Sequence, residues 1–181
     1  MKQVYILLSK TGTVPSRLIH GMTRGTFTHA SIALTPETDR FYSYARRTLQ
    51  NPLKAGLSVE NIHTFVFAQY PDAPCALYTI EISDEAYEKI QNRVQYFFDN
   101  YHRAKYSFMG AIAMRFGIRV RREFRLVCSQ FVALMLQESQ EITLPKDPYL
   151  MLPSDFMNIG NIRKIYSGTL KNCSFAPLSV V

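Results

Sequence analysis

The chain reads as an α+β protein, an antiparallel sheet packed against helices, on three observations. Strand-like segments cluster before residue 83, strong helical periodicity falls between residues 83 and 138, and one more strand-like segment follows near residues 162–166. Sheet and helices are therefore segregated rather than alternated, which argues against a doubly wound parallel fold. With 181 residues and 47% hydrophobic content, the chain can bury a core of its own, and a single domain over residues 1–181 is expected.

The first strand is expected in the stretch Met1–Lys10, whose apolar run Val4-Tyr5-Ile6-Leu7-Leu8 ends at a Thr11-Gly12-Thr13 turn. Pro15 and Ser16 open a short helix to about Met22, since proline suits a first helical turn. Thr28 to Leu34 reads as a strand stopped by Pro36, and Arg40 to Ala45 as its hairpin partner. Asn51-Pro52 and Gly56 mark an irregular loop, followed by expected strands at His63–Gln69 and Cys75–Ile82. Ser83 then suits an N-cap, with Asp84 and Glu85 in a first turn that favours acids. Tyr87, Ile90, Val94, Phe97, Phe98 and Tyr101 recur at helical steps and imply one buried face. A strongly apolar helix spans Phe108–Phe116, which Gly117 can end in the left-handed conformation. A third helix runs from Val127 to Glu138, a helical turn starts near Ser154-Asp155, and Ile162–Tyr166 closes the sheet.

Composition narrows the functional classes. No stretch approaches the roughly 18 apolar residues of a membrane-spanning helix. The five-residue apolar run near the start is too short for a secretory core, so a cytoplasmic location is expected. Three cysteines, Cys75, Cys128 and Cys173, are too few and too scattered for a disulfide framework. Neither a C-x-x-C pair nor an H-E-x-x-H run occurs, and no metal or cofactor is expected. The formal charge of +7 favours encounters with anionic surfaces but says nothing about fold. Arg115, Arg119, Arg121, Arg122 and Arg125 form a basic stretch without any nucleic-acid-binding signature. Nucleic acid is therefore not expected as a partner, whereas a membrane surface stays open and the oligomeric state is undetermined.

Cys128 stands at the start of the third helix, in Val127-Cys128-Ser129-Gln130-Phe131-Val132. Unpaired N–H groups and the positive end of the helix dipole favour an anionic thiol there, and the nearby arginines add to that field. The same N–H groups can hold an oxyanion. A small buried core thiol beside Val127 and Phe131 would look the same, so the residues alone leave two readings open. His29 begins an apolar strand and is the histidine best suited to serve as base; His20, His63 and His102 fall at helix or strand ends.

Three segments together resemble the permuted NlpC-type hydrolases, the YiiX/YebB-like branch of the papain-like superfamily. Thr28-His29-Ala30-Ser31-Ile32-Ala33-Leu34 is similar to that branch's histidine strand, and Val127–Val132 to its nucleophile helix. Leu152-Pro153-Ser154-Asp155-Phe156 resembles the Pro-Ser/Thr-Asp turn that follows. Histidine also precedes cysteine, as in the permuted branch. The resemblance implies a permuted papain-like fold, Cys128 as nucleophile, His29 as general base and the Cys128 N–H as an oxyanion donor. A third polar residue is implied on the strand after the histidine strand, where Ser43 aligns best and Tyr44 is the alternative; neither is a carboxylate.

The implied activity is hydrolysis of an amide, peptide or isopeptide bond through an acyl-enzyme on a small-molecule, peptide or acyl substrate. Two other expectations stay open. One is a lipid acyltransferase or thioesterase of the lecithin–retinol acyltransferase type, which the apolar Phe108–Phe116 helix beside the arginines would suit. The other is a binding module without turnover, supported by the missing carboxylate.

Overall fold

The computed structural model describes residues 1–11, 26–48 and 54–175. The helix expected between Pro15 and Met22 and the Asn51-Pro52 turn lie outside these residues. Among the described residues, eight strands form one sheet: β1 (Lys2–Ser9), β2 (His29–Ala33), β3 (Phe41–Arg46), β4 (Ala55–Glu60), β5 (Pro74–Ile82), β6 (Lys105–Tyr106), β7 (Arg125–Leu126) and β8 (Arg163–Thr169). Their order is β7-β6-β4-β3-β2-β1-β5-β8. All neighbours pair antiparallel except β6 and β7, which run parallel. The helices are α1 (Phe65–Ala68), α2 (Asp84–Asp99), α3 (Phe108–Arg115) and α4 (Cys128–Glu138), with short 3-10 turns between and after them. The architecture is thus α+β with a mostly antiparallel sheet.

The apolar run of β1 explains where the core sits. Side chains alternate across a strand, so Val4, Ile6 and Leu8 enter the larger core, which includes side chains of α2 and α4. Tyr5 and Leu7 enter a second core on the opposite face, with Phe67, Cys75, Leu77, Leu170 and Cys173. Both faces of the central sheet are covered, and so five consecutive apolar residues belong in one strand.

Ser83 caps α2 by accepting the Ala86 N–H at 3.1 Å, and Ile90, Val94 and Phe97 form its buried face. Gly117 takes φ +68° after α3, the left-handed conformation expected of it. Buried on nearly every side, α4 packs against β2 and β3. Burying one such side chain, Phe131 for example, contributes about 1.5–3 kcal/mol.

Two expectations are corrected. His63–Gln69 is not a strand but a turn leading into α1, whereas the segment around Gly56, read as an irregular loop, is β4. Gly56 is no breaker here. Its missing side chain lets the Ala104 carbonyl come within 2.2 Å of where a Cβ would stand, and that close approach seats β6 beside β4. The two-residue strands β6 and β7 carry too little sequence pattern to be foreseen.

Candidate active site

The chain brings His29 to the site by two anchors. Ser9, the last residue of β1, lies opposite His29 in the antiparallel register, and its carbonyl accepts the Thr28 N–H at 3.0 Å. Ser154, in the Pro153-Ser154-Asp155 turn, accepts the Phe27 N–H on its hydroxyl at 3.2 Å. That turn is itself capped: Asp155 accepts the Leu152 N–H at 2.8 Å and binds Lys146 at 2.8 Å. The Leu152–Phe156 motif therefore supports the residues that lead into His29.

The His29 ring meets a carboxylate the sequence reading did not single out. Its Nε2 lies 2.9 Å and 3.0 Å from the two oxygens of Glu60, the last residue of β4. Ser31, two residues on and so on the same face of β2, places its hydroxyl 3.2 Å from Nε2 and donates to Glu60 at 2.6 Å. The side chains of His29 and Glu60 are only 14% and 11% exposed, which keeps solvent from screening the pair. A carboxylate only accepts, so in the neutral ring the proton sits on Nε2. Nδ1 is then the nitrogen able to take a proton from a thiol.

Cys128 supplies that thiol. It is the first residue of α4, 1% exposed, and its sulfur lies near enough to the His29 ring to raise that ring's pKa. Burial works against the imidazolium, but the Glu60 charge, the hydrogen bonds to Cys128 and Glu60 and the charge of Cys128 together outweigh it. The net result holds His29 well above the usual histidine value of 6.5. The start of α4 is fixed by Gln130, whose Oε1 accepts the Val127 N–H at 3.1 Å while its Nε2 donates to the Tyr149 carbonyl at 2.9 Å. An apolar N-cap residue is thereby served by a side chain three positions on, and the first N–H groups of the helix have no partner within the helix itself.

Tyr106 is the other residue the sequence reading missed. Parallel pairing of β6 with β7 sets Tyr106 beside Leu126, two residues before Cys128. Burial first, and then the nearby charge of Cys128, push its phenol well above the usual tyrosine value, so it remains a proton donor.

The other expected site residues fall elsewhere. Ser43 is fully buried and donates to the Ala30 carbonyl at 2.7 Å, and the Tyr44 hydroxyl points to the Phe124 carbonyl at 3.4 Å. Among the described residues, the carboxylate partner of His29 is Glu60 on β4, in place of Ser43 or Tyr44 on β3. A long glutamate at a strand end can reach back along the sheet, whereas a serine in mid-strand cannot leave its backbone partner. The arginines also differ from expectation. Arg119 and Arg121 pair with Asp147 at 3.0 Å and 3.8 Å, and Arg122 and Arg125 are exposed. The basic group set against Cys128 is the His29 ring.

Only one clue in the sequence pointed to Glu60: Ala55–Glu60 ends an alternating segment at an Asn61 turn, but the glycine within it masked the strand. Among the described residues, no three His, Cys, Asp or Glu side chains converge as a metal ion would require. No helix among them is long and apolar enough to cross a membrane. No protein-family model and no curated protein matches this chain.

Proposed function

We propose that the protein is a thiol-dependent hydrolase that cleaves an amide, peptide or isopeptide bond through an acyl-enzyme on Cys128, on a permuted papain-like fold. The observation that carries this reading is the buried line Cys128–His29–Glu60, with the imidazole proton directed at the carboxylate and Nδ1 left for the thiol. In the first step Nδ1 takes the Sγ proton, and sulfur attacks the carbonyl carbon of the substrate. The carbonyl electron pair moves to oxygen, where the Cys128 N–H and the Tyr106 hydroxyl donate hydrogen bonds. Collapse expels the amine, which receives its proton from His29. Water, deprotonated by the same ring, then cleaves the thioester, and the acid leaves with the free thiol restored. Glu60 orients the ring and stabilises its charged form throughout; Ser31 holds the carboxylate in place.

A carboxylate at Glu60 weighs against a turnover-deficient binding module, the reading that a missing carboxylate had supported. The test is iodoacetamide labelling at pH 7 read by peptide mass spectrometry. Cys128 is expected to label fastest, and His29→Ala to slow it. The thiol of Cys75, held up by its hydrogen bond to Cys173 and by burial, serves as an internal control. Equal labelling of Cys128 and the other two cysteines would end the activated-thiol reading.

A further inference from the structure

We propose that the outer face of α3, with the arginines around it, docks on an anionic lipid bilayer. The helix is apolar on two sides. Gly110, Ala111 and Met114 turn inward, and Ala111 and Met114 pack on Val127. Met109 (68% exposed) and Ile112 (38%) lie on the other side, and Phe116 (72%) and Ile118 (57%) continue the exposed apolar surface past the helix end. Four large apolar side chains thus stand exposed within ten residues of one another.

Charge surrounds them. The segment Lys105–Arg125 holds six basic residues and one acidic one, a net +5 of the chain's +7. Arg115, directly before Phe116, and Arg122 and Arg125, shortly after Ile118 in the chain, are exposed. Exposed apolar side chains within a basic rim suit insertion at the headgroup boundary of an anionic membrane. A second copy of the chain would bring the same positive field against itself, and charge complementarity therefore selects the bilayer. Protruding tips also need no matching cavity in a fluid apolar phase. Docking does not depend on the thiol reading. Where both hold, the contact of Val127 with Ala111 and Met114 sets Cys128 one helix away from the membrane surface.

The experiment is flotation of the intact chain with phosphatidylcholine vesicles, with and without phosphatidylglycerol, at low and high salt. The chain is expected to co-float only with the anionic vesicles and to be released by salt. Arg115→Gln with Arg122→Gln should weaken partition by roughly 25-fold, about five-fold per arginine. Met109→Ser with Phe116→Ser should abolish flotation while leaving the melting temperature unchanged, because both side chains are exposed. The proposal is overturned if the chain does not float with the anionic vesicles, or if the serine variant floats as the parent does. It is equally overturned if sedimentation shows a dimer that the serine variant dissociates. Cys128 labelling in the same samples keeps a failure of docking separate from a failure of the thiol reading.

Discussion

Replacing Glu60 with glutamine tests the site most directly, because it changes one charge and almost no volume. The carboxylate meets His29 Nε2 at 2.9 Å and 3.0 Å in a site where both side chains are largely shielded. Glutamine can still accept one hydrogen bond, and a charge-assisted bond is worth roughly twice a neutral one, so the bond alone loses about 1 kcal/mol. The lost Coulomb attraction adds to this, with a ceiling of about 4 kcal/mol for charges 4 Å apart at an effective dielectric constant near 20. A loss of about 2 kcal/mol corresponds to a roughly 30-fold smaller ratio of imidazolium to imidazole. Imidazole 15N NMR titration of His29 in the parent and in Glu60→Gln reads that ratio.

The same coupling appears in stability, and its sign follows from the direction of the shift. His29 is held above its unfolded value, so its ionised form stabilises the fold fully below about pH 6.5. That contribution fades as pH rises through the higher folded value. Urea melts should therefore separate parent and Glu60→Gln by about 2 kcal/mol at pH 6, with the gap narrowing on the alkaline side. An unchanged His29 titration in Glu60→Gln, or an equal change in Ser43→Ala, would refute the assignment of Glu60 as the partner.

Other substitutions probe the parts separately. Ser43→Ala removes the buried hydrogen bond to the Ala30 carbonyl and should cost about 1–2 kcal/mol in urea melts, without moving the His29 titration. Gly56→Ala drives a methyl against the Ala104 carbonyl at 2.2 Å and should destabilise by about 2 kcal/mol, lowering the melting temperature by about 4–8 °C in calorimetry. Tyr106→Phe deletes a buried hydroxyl close enough to Cys128 to feel its charge; the p-nitrophenol burst from p-nitrophenyl acetate should slow about 100-fold with the fold intact, and an unchanged burst would exclude an oxyanion role. Gln130→Leu leaves the Val127 N–H and the Tyr149 carbonyl without their partner and should cost about 1–3 kcal/mol by thermal melt.

The parts of this protein that follow from near neighbours in the chain are legible in the sequence. The Ser83 cap, the periodic face from Ile90 to Phe97 and the Gly117 stop are set within one or two helical turns, and α2 and α3 form where those signals lie. The sheet-before-helix order and the position of Cys128 at the start of α4 follow from the same local rules. Even Ser31 was within reach, since residues two apart share a face of a strand.

The partner of His29 was not, because it depends on how separate strands pair. Glu60 stands 31 positions from His29, at the end of a strand whose glycine looks like a breaker until Ala104 is known to lie against it. Tyr106 reaches Cys128 only through a two-residue parallel pairing that no periodicity announces. The carboxylate expected nowhere and the serine expected at the ring exchanged places. Side-chain reach across a sheet is set by register and by side-chain length, and the chain folds those into place only in three dimensions.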